Sequence, residues 1–143
     1  MTKAFVDTNV LVRHLTRDPA PMAARATAFL RAAAPGSLLL TDLVVAETIY
    51  VLESFYQAPR QRVATAVRSL VRFPAVSCLD VDLILRAVEV YEVLRLDFAE
   101  AYLVACAESS GVGHIASFDR AIDRVGTVTR VESPLQPREQ GKP

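Results

Sequence analysis

Apolar and polar positions alternate along this chain with two periods, one that suits strands and one that suits helices. Lys3 to Asp7 reads as a short buried strand ending in an acid, and Asn9 to Thr16 carries Val10, Leu11 and Leu15 at helical spacing. Pro19 and Pro21 open a second helix that runs through Met22 to Ala34 and is stopped by Pro35 and Gly36. Leu38 to Thr41 is a compact apolar run followed by Asp42, a good N-cap residue, ahead of a helix over Leu43 to Tyr56. That helix is predicted to bury the face made by Val44, Thr48, Val51, Leu52 and Phe55. Pro59 separates it from an arginine-rich helix over residues 60 to 72, and Pro74 breaks the chain before a strand from Val76 to Leu79. Two helices follow, Val81 to Leu96 and Asp97 to Ser110, ended by Gly111 and Gly113. His114 to Phe118 is a second apolar run that ends in an acid, Asp119; a turn of helix and a last strand, Thr127 to Val131, close the pattern.

Strands separated by helices predict an α/β layer fold with a mainly parallel sheet. One domain over residues 1 to 132 accounts for the pattern, without internal repeats, and the tail from Ser133, with its three prolines, is expected to be disordered. Composition adds one expectation. With 52% hydrophobic and 22% charged residues and a mean hydropathy of +0.27, the chain is apolar enough that a partner is expected to cover part of its surface. The richest stretch, Leu38 to Leu52, is broken by Asp42 and Glu47, too short for a membrane span. No signal or transit character marks the N-terminus, so a cytoplasmic location is expected. Cys78 and Cys106 form no disulfide framework, and Cys106 reads as a small core residue; His14 and His114 are isolated and read as packing or surface residues.

Charge is balanced overall but segregated. Arg60, Arg62, Arg68 and Arg72 fall within residues 60 to 72 with no acid, whereas residues 80 to 108 are predominantly acidic. All basic residues except Lys3 and Lys142 are arginines, whose planar fork matches phosphate. An arginine rim around an acidic centre suits a nucleic acid and a metal. For the 60 to 72 run, a solvated helix face is an equally good reading.

The acids carry the candidate chemistry. In open parallel sheets, ligands bind beyond the carboxyl ends of the strands, where Asp7 and Asp119 stand. Glu47 follows the second strand by little more than one helical turn, within reach of the same edge. Its helical neighbours are Leu43, Val44, Tyr50 and Val51, so its carboxylate is expected to be desolvated and to need compensation. Asp97 and Glu100, three apart, share one helix face; Asp97 serves equally well as a helix cap or a metal ligand. Gathered carboxylates need a cation, and all-oxygen ligation favours Mg²⁺, or Mn²⁺, which activates water for phosphoryl displacement.

The ordered set Phe-Val-Asp7-Thr-Asn9-Val-Leu, Glu47 early in a helix, Leu-Asp97-Phe-Ala-Glu100-Ala and Ala-Ser-Phe-Asp119-Arg resembles the PIN domain. More narrowly, it resembles the VapC ribonuclease toxins of bacterial toxin–antitoxin pairs. The resemblance implies an α/β/α sandwich around a mainly parallel sheet of about four to five strands. It implies Asp7, Glu47 and Asp119 as acids of a Mg²⁺ site. The family's third acid stands where Glu100 does and is usually Asp; this leaves the corner open between Glu100 and Asp97, with Glu100 favoured. Asn9 would hold Asp7 or a metal-bound water, Ser117 would support Asp119, and Asp123 is an outer candidate. Hydrolysis of an RNA phosphodiester by a metal-activated water, a homodimer and a VapB-type antitoxin covering the site complete the implication.

Two other classes compete. Asp7-Thr-Asn9-Val also resembles the opening of haloacid-dehalogenase-type phosphatases, but Asn9 stands at the general-acid position, and neither Lys3 nor Lys142 is placed to neutralise a phosphate. A receiver domain fails for the same want of a lysine. A PIN-like binding module without catalysis is opposed by the acids at Asp7, Glu47 and Asp119.

Overall fold

The computed structural model describes residues 2–133; the expectation of a disordered tail falls on residues 134–143, outside the described residues. The elements run β1 (Ala4–Phe5), α1 (Thr8–Thr16), α2 (Ala20–Ala32), β2 (Leu38–Leu40), α3 (Asp42–Ser54), α4 (Arg60–Val71), β3 (Val76–Cys78), α5 (Val81–Val93), α6 (Phe98–Ser110), β4 (His114–Ala116) and β5 (Thr129–Val131). A 3₁₀ turn over Arg120–Arg124 precedes β5. Every strand pairing among the described residues is parallel, as the βα alternation predicts. The five strands fall into two hydrogen-bonded sets, β1-β2-β3 and β4-β5. Helices flank them, and Leu38, Leu40 and Val76 of the first sheet join Val45 and Ile49 of α3, Val67 of α4, Ile84 of α5 and Val104 of α6 in one core.

Three local expectations are corrected. The first strand is not buried: β1 is the outer strand of its sheet, Phe5 is 73% exposed, and the next residue, Val6, is the one that enters the core. On α3 the buried positions are Val45, Thr48, Ile49 and Leu52, with Phe55 exposed. This helix is apolar nearly all round, so periodicity does not select a face. Thr48 is tolerated inside because its hydroxyl donates to the Val44 carbonyl at 2.7 Å. Its N-cap is Thr41, whose hydroxyl accepts from the Val44 N–H at 3.2 Å, while Asp42 lies in the first turn and accepts a hydrogen bond from Tyr102. Cys106 is half-buried and free, as is Cys78.

The arginine-rich helix resolves largely to structural work. Arg60 donates to the carbonyls of Tyr91 (2.8 Å) and Leu96 (2.7 Å), and its guanidinium lies 4.4 Å from the Tyr91 ring centre, fastening α4 to the end of α5. Arg68 pairs with Glu92 at 3.0 Å. Of the four arginines in the run, Arg62 and Arg72 are the exposed pair.

Arg86 on α5 grips Glu108 on α6 with two nitrogens, at 2.8 and 2.9 Å, and Thr127 adds a third donor to the same carboxylate. The Arg86 hydrogen bond, more than the opposing burial, holds the Glu108 carboxyl below its ordinary 4.5. A depressed carboxyl stabilises the fold above the unfolded value and loses that contribution as pH falls through the folded one. Glu108→Gln is therefore expected to lower stability by about 2 kcal/mol near neutral pH. In thermal melts the gap from wild type should close as pH drops below 4.5. A gap constant with pH would refute the latch.

Candidate active site

Asp7 and Asp119 owe their positions to local turns, whereas Glu47 is held by a distant contact. Asp7 leaves β1 in extended backbone and caps α1, its Oδ1 accepting from the Thr8 N–H at 2.8 Å. Thr8, 8% exposed, then donates its hydroxyl to Glu47 Oε2 at 2.6 Å, across 39 residues of chain. This bond brings Glu47 of α3 to the carboxyl end of β1, beside Asp7. Nothing in the sequence singled out Thr8 beyond its place between Asp7 and Asn9. Asn9 is exposed in the first turn of α1, and among the described residues its amide makes no hydrogen bond.

Glu47 itself is exposed, not desolvated as expected. Of the four neighbours that suggested burial, Val44 and Val51 are half-buried but Leu43 and Tyr50 are 77% and 68% exposed, so water reaches the carboxylate. The compensation comes from one hydroxyl rather than from a charge.

Asp97 and Glu100 begin the same helix but differ in surroundings. Asp97 occupies the cap position of α6, is exposed, and makes no side-chain cap hydrogen bond. Its charge acts on the end of α5, where the Tyr91 hydroxyl is buried without a hydrogen-bond partner among the described residues. Burial first, then the Glu53 carboxylate and to a smaller extent Asp97, push that hydroxyl up to about 12. Glu100 is half-buried, and its Oε2 is a buried oxygen with no hydrogen-bond partner among the described residues.

Asp119 caps the 3₁₀ turn, Oδ1 accepting from the Ala121 N–H at 2.9 Å, and its own N–H donates to Ser117 Oγ at 2.9 Å. Ser117 thus shapes the turn that presents Asp119. Asp123 gives both carboxylate oxygens to Arg130, at 3.0 and 3.1 Å, and that hydrogen bonding holds it below the usual carboxylate range. Arg130 also donates to the Ser117 carbonyl at 3.0 Å, so Asp123 braces the Asp119 turn through β5.

The structure therefore joins Asp7 to Glu47 through Thr8, joins Asp119 to Ser117, and leaves the buried Oε2 of Glu100 unpartnered among the described residues. Among the described residues no three His, Cys, Asp or Glu side chains are gathered into a ready-made metal cage. Mg²⁺ does not require one, since it binds through one or two carboxylates and retains several waters. A buried carboxylate oxygen without a donor is costly, and a cation is the partner that relieves it. The all-oxygen set with an orphaned Glu100 Oε2 fits a hard divalent ion.

Acids at the carboxyl ends of parallel strands, on helix-flanked sheets, mark the ligand edge of an α/β fold. The chain belongs to the PIN domain family, whose model matches residues 4–128, and nucleases of that family typically use divalent metal ions. No curated protein matches the chain. Among the described residues no helix is long and apolar enough to cross a membrane.

Thr8→Val keeps the shape and removes the hydroxyl that positions Glu47. Cleavage efficiency is expected to fall on the order of 10-fold, with Thr8→Ser close to wild type. Equal activity of Thr8→Val and wild type would dismiss Thr8 as a positioning residue.

Proposed function

We propose that this chain is a Mg²⁺-dependent endoribonuclease, the toxin of a cytoplasmic toxin–antitoxin pair. The buried Oε2 of Glu100, in the first turn of α6 and without a hydrogen-bond partner among the described residues, is the observation that carries the reading. Asp7, Glu100 and Asp119 would hold the ion, with Asp97 the alternative to Glu100; Mn²⁺ has the same ligand preference. When bound, the ion supplies a water activated near neutral pH and charge to offset the phosphate. Glu47, oriented by Thr8, accepts a proton at the mouth of the site. Arg120, exposed beside Asp119, grips the strand that flanks the scissile bond.

Exposed apolar side chains surround these acids. Leu43 and Tyr50 flank Glu47 on α3, and Phe118 precedes Asp119. Such a surface suits a covering partner, a VapB-type antitoxin, and a second copy of the chain.

Labelled single-stranded RNA is expected to be cut internally with Mg²⁺ and left whole in EDTA, while a small phosphomonoester is untouched. Cleavage that persists in EDTA, or phosphomonoester hydrolysis with RNA spared, would sink the nuclease reading. Expression of the chain alone should arrest a bacterial host; normal growth with active enzyme present would remove the toxin role.

A further inference from the structure

Helices α1 and α2 pack on one another and are joined by Arg17 to Pro19. Residues 8 to 33 carry Arg13, Arg17, Arg25 and Arg31 against one acid, Asp18, whose carboxylate accepts the Tyr56 hydroxyl at 3.0 Å. Among the described residues none of these four arginines lies within ion-pair distance of a carboxylate, whereas Arg68, Arg86 and Arg130 are all paired. Between the two helices lies a cleft of about 680 Å³, lined by His14, Arg17, Thr27 and Arg31 over four alanines of α2, with no acid in its walls.

The cleft is electropositive at a defined point. His14 sits with Nδ1 2.8 Å from Thr27 Oγ1 and its ring edge-on to Phe73. Burial first, then the charges of Arg31 and Arg17, hold its imidazole below the ordinary value, so both guanidiniums act on one spot. Arg17 projects from left-handed backbone (φ 57°) at the end of α1, a conformation that ordinarily favours glycine. Two unpaired guanidiniums over a floor of small side chains leave room for a narrow, anionic chain to lie close to the helices.

We propose that this cleft binds the phosphodiester backbone of single-stranded RNA, as a substrate contact separate from the acids. The inference rests on the ribonuclease reading and extends it. Asp7 caps one end of α1 and Arg17 caps the other, about 15 Å away at about 1.5 Å per residue. A strand held at Arg17 and Arg31 is therefore anchored one helix length from Asp7. A protein partner fits less well, because none of the large exposed apolar side chains lines this cleft.

The test is anisotropy of a short labelled oligoribonucleotide in EDTA, where nothing is cleaved, across a salt series. Arg17→Gln/Arg31→Gln is expected to bind on the order of 10-fold more weakly than wild type. Its log–log salt slope should be shallower by about 1.4, two phosphate contacts of a single strand. The control Arg62→Gln/Arg72→Gln, on α4, should stay within about twofold. Circular dichroism confirms that both variants fold. Equal affinity and slope for the cleft variant and wild type would overturn the proposal. So would absence of RNA binding by wild type, or a cleft-dependent affinity for a polyglutamate peptide in its place. Binding lost in the cleft variant, with no cleavage by wild type under any metal, would retain the cleft and remove the nuclease reading.

Discussion

Asp7→Asn is expected to abolish metal-dependent RNA cleavage while leaving the fold intact. The observed cap and the proposed metal ligand meet at this residue, and the substitution separates them. As a cap, Asp7 supplies one oxygen to the Thr8 N–H, and an asparagine carbonyl serves that purpose equally well. As a metal ligand, it supplies negative charge, which asparagine does not. Replacing residues that merely orient a ligand typically costs about 10–100-fold, so loss of the charge itself should exceed about 100-fold in kcat/KM. The melting temperature in EDTA should stay near that of wild type. Asp7→Ala, in contrast, is expected to lose activity and also about 1 kcal/mol of stability with the cap. Asp7→Asn cleaving within tenfold of wild type, with folding confirmed, would remove Asp7 from the chemistry.

The candidate acids were legible where they end strands. Asp7 and Asp119 follow apolar runs, and an acid that ends a parallel strand sits at the ligand edge whatever the rest of the fold does. The parallel sheet followed from the same alternation of runs. What escaped the sequence depends on distant neighbours. The Thr8–Glu47 bond spans 39 residues, and no local spacing encodes it. Burial of Glu47 was inferred from Leu43, Val44, Tyr50 and Val51, but on a helix apolar nearly all round the packed face is set by the helices against it, α1, α4 and α6, here through Val45, Ile49 and Leu52. Exposure of β1 follows from its place at the edge of its sheet, which depends on strand order. The arginine run divides for the same reason: Arg60 and Arg68 are satisfied by partners at α5 and its C-terminal end, which no local spacing encodes, while Arg62 and Arg72 remain exposed.

The open corner of the site should be decided by a paired substitution, Glu100→Gln and Asp97→Asn. The two acids share a helix face, yet their carboxylates are in opposite conditions. Asp97 is exposed and needs no partner, so neutralising it removes little; cleavage should stay within about fivefold of wild type, less than loss of even an orienting residue. Glu100 keeps a buried oxygen without a donor, an arrangement that burdens the metal-free fold and is relieved by a cation. Glu100→Gln removes that burden, so the metal-free protein should melt no lower than wild type. The same change should abolish the rise in melting temperature that Mg²⁺ gives wild type, because ligand-induced stabilisation scales with affinity for the folded state. Cleavage should fall by more than about 100-fold. A ligand that destabilises the empty fold and stabilises the loaded one has a signature that a purely structural carboxylate lacks. Retention of the Mg²⁺-induced shift in Glu100→Gln, with its loss in Asp97→Asn, would transfer the corner to Asp97.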